Sequence, residues 1–133
     1  MLGITPTGAA DSNRVANILI VEDERALRLA VVKMLEKEGF SVIEAGNGTV
    51  AIDLIREQNR SVDVLVLDIF LPGATSREVF EEAQRVIGGI AVIVTTTYSR
   101  EQAAALLAAD VRHFVQKPYR LRQLLDKIRE VAP

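Results

Sequence analysis

The sequence of 133 residues is long enough for one domain and too short for a multidomain enzyme. Its 49% of hydrophobic and 26% of charged residues are typical of a soluble globular protein, and the net charge of −2 argues against a protein held on nucleic acid by bulk charge. The chain has no cysteine and a single histidine, His113, which excludes disulfides, thiolate-bound metals and a two-histidine metal site. No apolar run approaches the length of a membrane span and no signal-peptide core is present, so we expect a cytoplasmic protein.

The chain begins with a segment of tail or linker composition. Residues 1–16 contain two glycines, a proline and small polar residues without periodicity, so the domain is predicted to cover residues 17–133. From there on, short apolar runs alternate with segments of helical period. The runs that we predict as strands lie at residues 18–21, 41–45, 64–67, 90–94 and 113–116.

The predicted helices carry recognisable end signals. The first helix is predicted to end at Gly39, since glycine commonly terminates helices. Two others begin with capping boxes, Thr75…Glu78 and Ser99…Gln102, in which each side chain of the pair satisfies a free backbone N–H of the other residue. These signals support one helix after each predicted strand.

Strands that alternate with helices indicate a parallel sheet covered on both faces. Three runs, at 18–21, 64–67 and 90–94, are unbroken apolar, whereas those at 41–45 and 113–116 are more polar and are expected at the edges. With right-handed crossovers this predicts an α/β, flavodoxin-like fold with strand order 2-1-3-4-5 and five helices on the two faces. In such a sheet the site lies beyond the carboxyl ends of strands 1 and 3, where the strand order reverses.

Polar residues follow four of these strands at that edge. Glu22 and Asp23 follow strand 1, Asp68 follows strand 3, threonines 95–97 follow strand 4 and Lys117 follows strand 5. Three carboxylates placed together would raise one another's pKa unless a cation joined them, and an all-oxygen set suits Mg²⁺. Lysine and threonine can bind a phosphoryl group, and a carboxylate can accept one as a nucleophile. Asp68 lies centrally and is the predicted nucleophile.

These segments resemble the receiver domain of two-component response regulators. The similar segments are residues 18–24 (ILIVEDE), 65–73 (LVLDIFLPG), the threonines after Val94, and 114–118 (FVQKP). The resemblance covers about residues 17–131 and implies a CheY-like fold and a phosphorylation-dependent switch domain that is not itself an enzyme. It also implies that Asp68 receives a phosphoryl group from the phosphohistidine of a histidine kinase or of a histidine phosphotransfer protein.

The resemblance further implies a metal site. Glu22 and Asp23 match the acidic pair that binds Mg²⁺ in the family, with Asp23 the more direct ligand. Asp68 and the backbone carbonyl of Phe70 would complete the protein ligands. A cation in this position would balance the charge of the three carboxylates.

The resemblance implies a set of switch residues as well. Thr96 and Lys117 would bind the phosphate, Phe114 would move together with Thr96, and the peptide bond into Pro118 would be cis. Thr95 is the alternative to Thr96 as the switch residue, and Thr96 is preferred because the two residues after it then match the usual pair. The movement would alter the surface formed by the fourth helix, fifth strand and fifth helix, where a downstream protein would bind. No direct contact with nucleic acid or with a membrane is implied.

Residues 114–121, together with the Leu71-Pro72-Gly73 segment, look especially like receivers at the C-terminus of hybrid sensor kinases, although a stand-alone receiver fits equally well. Two other functions compete with a phosphorylated receiver. A phosphatase of the haloacid-dehalogenase type also forms an aspartyl phosphate, but it needs an acidic residue where Phe70 stands. A pseudo-receiver would act only through protein contacts, and the complete acidic set with Lys117 argues against it.

Overall fold

The structure, a computed structural model, describes residues 14–58 and 61–133. Its elements in chain order are β1 (Asn17–Val21), α1 (Arg25–Lys37), β2 (Ser41–Ala45), α2 (Gly48–Gln58), β3 (Val64–Asp68), α3 (Ser76–Val86), β4 (Ala91–Thr96), α4 (Arg100–Leu107), β5 (His113–Gln116) and α5 (Leu121–Val131). Residues 1–13 of the predicted tail lie outside the described residues. Of the remaining tail residues, Ala16 is buried and Arg14 pairs with Asp63 at 2.8 Å.

The sheet confirms the predicted topology. Within the described residues it has five parallel strands in the order β2-β1-β3-β4-β5. Two strands run further toward their carboxyl ends than the apolar runs predict, since β3 ends at Asp68 and β4 continues through Thr96. Threonine is β-branched and fits a pleated strand, so the backbone pairing continues after the apolar residues end. Asp68, Thr95 and Thr96 are therefore held by the sheet itself.

The core lies on both faces of the sheet, because side chains alternate along each strand. On β3, Leu65 and Leu67 pack with residues of α2, α3 and α4. Val64 and Val66 point the other way, toward residues of α1 and α5. The alternation places two helices on one face and three on the other. Across the described parts of the chain, every helix is too short or too polar to span a bilayer.

The predicted helix ends are confirmed. Thr75 Oγ1 accepts a hydrogen bond from the backbone N–H of Glu78 at 3.1 Å, and Ser99 Oγ accepts one from Gln102 at 3.1 Å. In both boxes the side chain of the second residue also accepts a hydrogen bond from the backbone N–H of the first. Gly39, with φ of +95°, follows the last turn of α1. The starts of α3 and α4 are fixed in this way, and each follows a loop that borders the site.

Candidate functional site

Three carboxylates come together at the carboxyl ends of β1 and β3. The two strands are neighbours with Val21 opposite Leu67, so the residues that follow each strand meet at the same edge. Glu22 and Asp68 are each 4% exposed, and one carboxylate oxygen from each of them and from Asp23 lies within 4.8 Å of the others. The structure thus brings together the acidic residues that the sequence singles out.

Lys117 reaches this cluster from the end of β5. Its Nζ lies 2.7 Å from Glu22 Oε1 and 3.3 Å from Asp68 Oδ2. The backbone N–H of Lys117 donates to the carbonyl of Thr96 at 2.8 Å, and the peptide bond to Pro118 is cis. The ammonium group is therefore placed between the two buried carboxylates.

The cluster carries more negative charge than Lys117 can balance. Burial, and then the charge of Glu22, raise the pKa of Asp68 to about 7, although Lys117 opposes the shift. Burial lowers the pKa of Lys117, but its bond to Glu22 and the charge of Asp68 outweigh this and leave that pKa raised. The raised pKa of Asp68 shows that burial and the charge of Glu22 disfavour its ionised form. A hard divalent cation such as Mg²⁺, which prefers oxygen ligands, would offset this cost.

Tyr119 lies near the acidic residues, and the sequence pattern did not single it out. Burial, followed by the negative charges of Glu22 and Asp68, raises the pKa of its phenol well above the ordinary range. The hydroxyl thus remains protonated beside the cluster. Its position directly after Lys117-Pro118, at the exit of a strand, is the one sequence signal that would have indicated it.

The two threonines at the end of β4 are both buried. Thr95 pairs in register with Asp68, whereas Thr96 pairs with Gln116 and accepts a hydrogen bond from the backbone N–H of Tyr98 at 3.2 Å. Phe114 pairs in register with Val94 and packs against the cluster that contains residues of α4. Val94 and Thr96 are two residues apart on the same strand, and side chains alternate along a strand. The Thr96 side chain therefore lies on the same face of the sheet as that of Phe114.

Two exposed aromatic rings connect the loops that border the site. Phe70, in the loop after β3, is 47% exposed, and Tyr98, in the loop after β4, is 44% exposed. Their rings form an edge-to-face contact with centroids 4.8 Å apart. The sequence gives no signal for this pair, because the two residues come from different loops.

Gly48 fixes the loop that contains Phe70. Its N–H donates to the carbonyl of Pro72 at 3.0 Å, and a Cβ at this position would lie 1.8 Å from the carbonyl oxygen of Ala74. Only glycine allows this approach. Residues 46–51 (GNGTVA) fit the dinucleotide-binding pattern G-x-G-x-x-A, but they follow edge strand β2, and their Gly48 packs against this loop.

Comparison with known proteins places these features in a family. The family model of the response regulator receiver domain matches residues 18–129. The chain is 32% identical over 124 residues to the sensor kinase CckA of Brucella abortus (strain 2308), covering 92% of this chain and 13% of that protein. It is 29% identical over 119 residues to the sporulation initiation phosphotransferase F of Bacillus subtilis (strain 168), covering 87% of this chain and 93% of that protein.

A solved structure has the same fold. The CheY-like receiver domain protein from Methanospirillum hungatei JF-1 is 30% identical, with a TM-score of 0.78 over 88% of this chain and 93% of that one. The chain spans 13%, 29% and 50% of the first three curated relatives, so it corresponds to one part of those proteins. The chain belongs to the response regulator receiver domains of two-component signalling, which are phosphorylation-dependent switches and not enzymes.

Proposed function

We propose that Asp68 accepts a phosphoryl group from a phosphohistidine on a partner protein. The observation that carries the proposal is the buried Asp68 carboxylate at the end of the central strand, 3.3 Å from the Lys117 ammonium. One carboxylate oxygen attacks phosphorus, and the phosphorus–nitrogen bond breaks with its electron pair going to the imidazole. Lys117 supplies positive charge where the transferred oxygens arrive.

We also propose that Glu22, Asp23 and Asp68 bind Mg²⁺ together with the backbone carbonyl of Phe70. The proximity of the three carboxylates and the raised pKa of Asp68 support this ligand set. When bound, the cation offsets the charge of the carboxylates and of the phosphoryl oxygens. The chain's own contribution is to keep two of these carboxylates buried and next to each other before the reaction.

Intact-protein mass spectrometry after incubation with acetyl phosphate tests the proposal. We expect the gain of one phosphoryl group in the presence of Mg²⁺ and no gain when EDTA replaces the metal. Beryllofluoride, which mimics a bound phosphoryl group, should shift NMR signals around Asp68 under the same conditions. No mass gain together with an unchanged beryllofluoride spectrum would contradict the proposal and favour a pseudo-receiver.

The switch that we propose involves Thr96, Lys117 and Phe114. The Thr96 hydroxyl accepts a hydrogen bond from the backbone N–H of Tyr98, and no described residue accepts its own hydrogen, which can therefore be donated to a phosphoryl oxygen. Reorienting that hydroxyl toward Asp68 changes the packing on the face where Phe114 lies. The surface formed by α4, β5 and α5 then differs between the two states.

The choice between the two buried threonines can be tested directly. Thr96→Val keeps the shape of the side chain and removes its hydroxyl, so we expect phosphorylation to persist while most of the phosphate-dependent NMR shift at Phe114 disappears. Thr95→Val is the matched control and should retain both properties. Loss of the Phe114 shift in Thr95→Val alone would identify Thr95 as the switch residue.

The partners that we propose are a histidine kinase or a histidine phosphotransfer protein, and a downstream protein that binds α4, β5 and α5. The similarity to receiver domains supports both partners, whereas the 45% exposed Leu106 of α4 lines a pocket with Phe70 and Ser76 on the other side of that helix. Similarity to a sensor kinase supports a hybrid kinase as the parent protein, whereas similarity to a phosphotransferase of nearly equal length supports a single-domain regulator. Either setting is cytoplasmic, without direct contact of this domain with nucleic acid or a membrane.

A further inference from the structure

Arg28 on α1 connects the acidic pair with the neighbouring edge strand. Its Nη1 donates to the backbone carbonyl of Glu22 at 2.8 Å, and its Nε donates to Glu44 Oε1 at 2.9 Å. The side chain is 15% exposed, and a Cβ on Gly46 would lie 3.1 Å from Nη1. The guanidinium group therefore packs closely between the loop after β1 and the end of β2.

The carbonyl that Arg28 binds belongs to the peptide group that joins Glu22 to Asp23. The Glu22 side chain has its own partners, the Lys117 ammonium at 2.7 Å and the backbone N–H of Glu24 at 3.0 Å. Asp23 is exposed, and its side chain makes no hydrogen bond or ion pair with the described residues. No side-chain partner among the described residues orients Asp23, so its placement depends on the peptide group that leads into it, and Arg28 binds the carbonyl of that group.

We propose that Arg28 is a positioning residue that orients Asp23 for Mg²⁺. The inference rests on the metal site proposed above. Electrostatics alone would give Arg28 the opposite effect, because a positive charge near the site repels a cation. Groups that orient metal ligands commonly change metal affinity by about 10-fold to 100-fold when they are replaced. The two explanations therefore predict changes of opposite sign.

The test is the Mg²⁺ affinity of variants with an altered charge or geometry on α1, measured by NMR titration without any phosphoryl donor. Arg28→Ala should bind Mg²⁺ about 10-fold more weakly than the wild type. Arg28→Lys keeps the charge but lacks the planar group that donates to two acceptors at once, so an intermediate loss is expected. Arg25→Ala removes the same charge from an exposed position whose side chain makes no hydrogen bond with the described residues, and should bind Mg²⁺ equally or slightly more tightly.

A further control separates positioning from general stability. Arg56 pairs with Glu82 between α2 and α3, away from the acidic cluster, so Arg56→Ala can lower Tm but should leave Mg²⁺ affinity unchanged. Equal Mg²⁺ affinity in Arg28→Ala and Arg25→Ala would overturn the positioning role of Arg28 without contradicting the proposed metal site. If Arg28→Ala does not fold, unchanged affinity in Arg28→Lys overturns it. A wild type that binds no Mg²⁺ would overturn the metal site, and this inference with it.

Discussion

Asp68→Asn is expected to abolish phosphorylation and, without divalent cations, to stabilise the protein at pH 8. The amide cannot act as the nucleophile, so acetyl phosphate should add no phosphoryl group. The stabilisation follows from the pKa of Asp68, which burial and the charge of Glu22 raise to about 7. At pH 8 the folded protein must keep this carboxylate ionised in an unfavourable place, and the neutral amide removes that cost.

The size and sign of the effect follow from linkage. The pKa rises from 3.8 to about 7 on folding, so the folded state binds more protons than the unfolded state between these values. Wild-type stability relative to Asp68→Asn should fall as the pH rises from 4 to 7 and remain constant above that. The full shift corresponds to about 4 kcal/mol, and screening by solvent reduces our expectation to about 1–2 kcal/mol.

Urea unfolding in EDTA at pH 5 and pH 8 measures this difference. Asp53→Asn, at an exposed position of α2, is the matched control and should stay within about 0.5 kcal/mol of the wild type. Saturating Mg²⁺ should reverse the order of wild type and Asp68→Asn, because binding stabilises the chain that retains its ligand. An Asp68→Asn variant that is less stable than the wild type at pH 8 in EDTA would contradict the electrostatic account.

The strand order and the residues that meet at the site could be predicted because burial leaves a local signal. Central strands are unbroken apolar runs, and the polar residues that follow them, such as Glu22 and Asp68, mark the edge at which the strands end. Parallel topology then brings these residues together without any knowledge of the loops. The exact strand ends were less predictable, because Thr95 and Thr96 extend the backbone pairing of β4 beyond its apolar residues.

Contacts between different loops could not be predicted, because no periodic pattern encodes them. The approach of Gly48 to the carbonyl of Ala74 depends on how the loop after β3 folds back on α2. Likewise, the bond from Arg28 to the carbonyl of Glu22 depends on the path of the backbone between β1 and α1. In sequence, Arg28 is simply a polar residue of an amphipathic helix, and its contact with the acidic pair becomes evident only in three dimensions.

Lys117→Ala is expected to destabilise the metal-free protein and to separate phosphorylation from switching. The pKa of Lys117 is raised in the folded state, so its stabilising contribution is fully present at pH 8 and is lost only as the pH rises through that raised value. Its removal leaves Glu22 and Asp68 buried without their shared cation. Removing one partner of a fully buried pair costs about 3–5 kcal/mol, and we expect about 2 kcal/mol because the Lys117 side chain is 16% exposed.

A double-mutant cycle and one spectrum test both parts of this prediction. In the Asp68→Asn background, Lys117→Ala should lower the free energy of unfolding by less than it does in the wild type, because one of the two carboxylates has been replaced by a neutral amide. Lys117→Ala should still bind Mg²⁺, because the variant lacks the ammonium group that competes with the cation for Glu22 and Asp68. Asp68 should also still gain its phosphoryl group. The phosphate-dependent NMR shift at Phe114 should nevertheless disappear, because nothing then draws the end of β5 toward the phosphate. A Phe114 shift equal to that of the wild type would remove Lys117 from the switch and leave it the role of balancing charge.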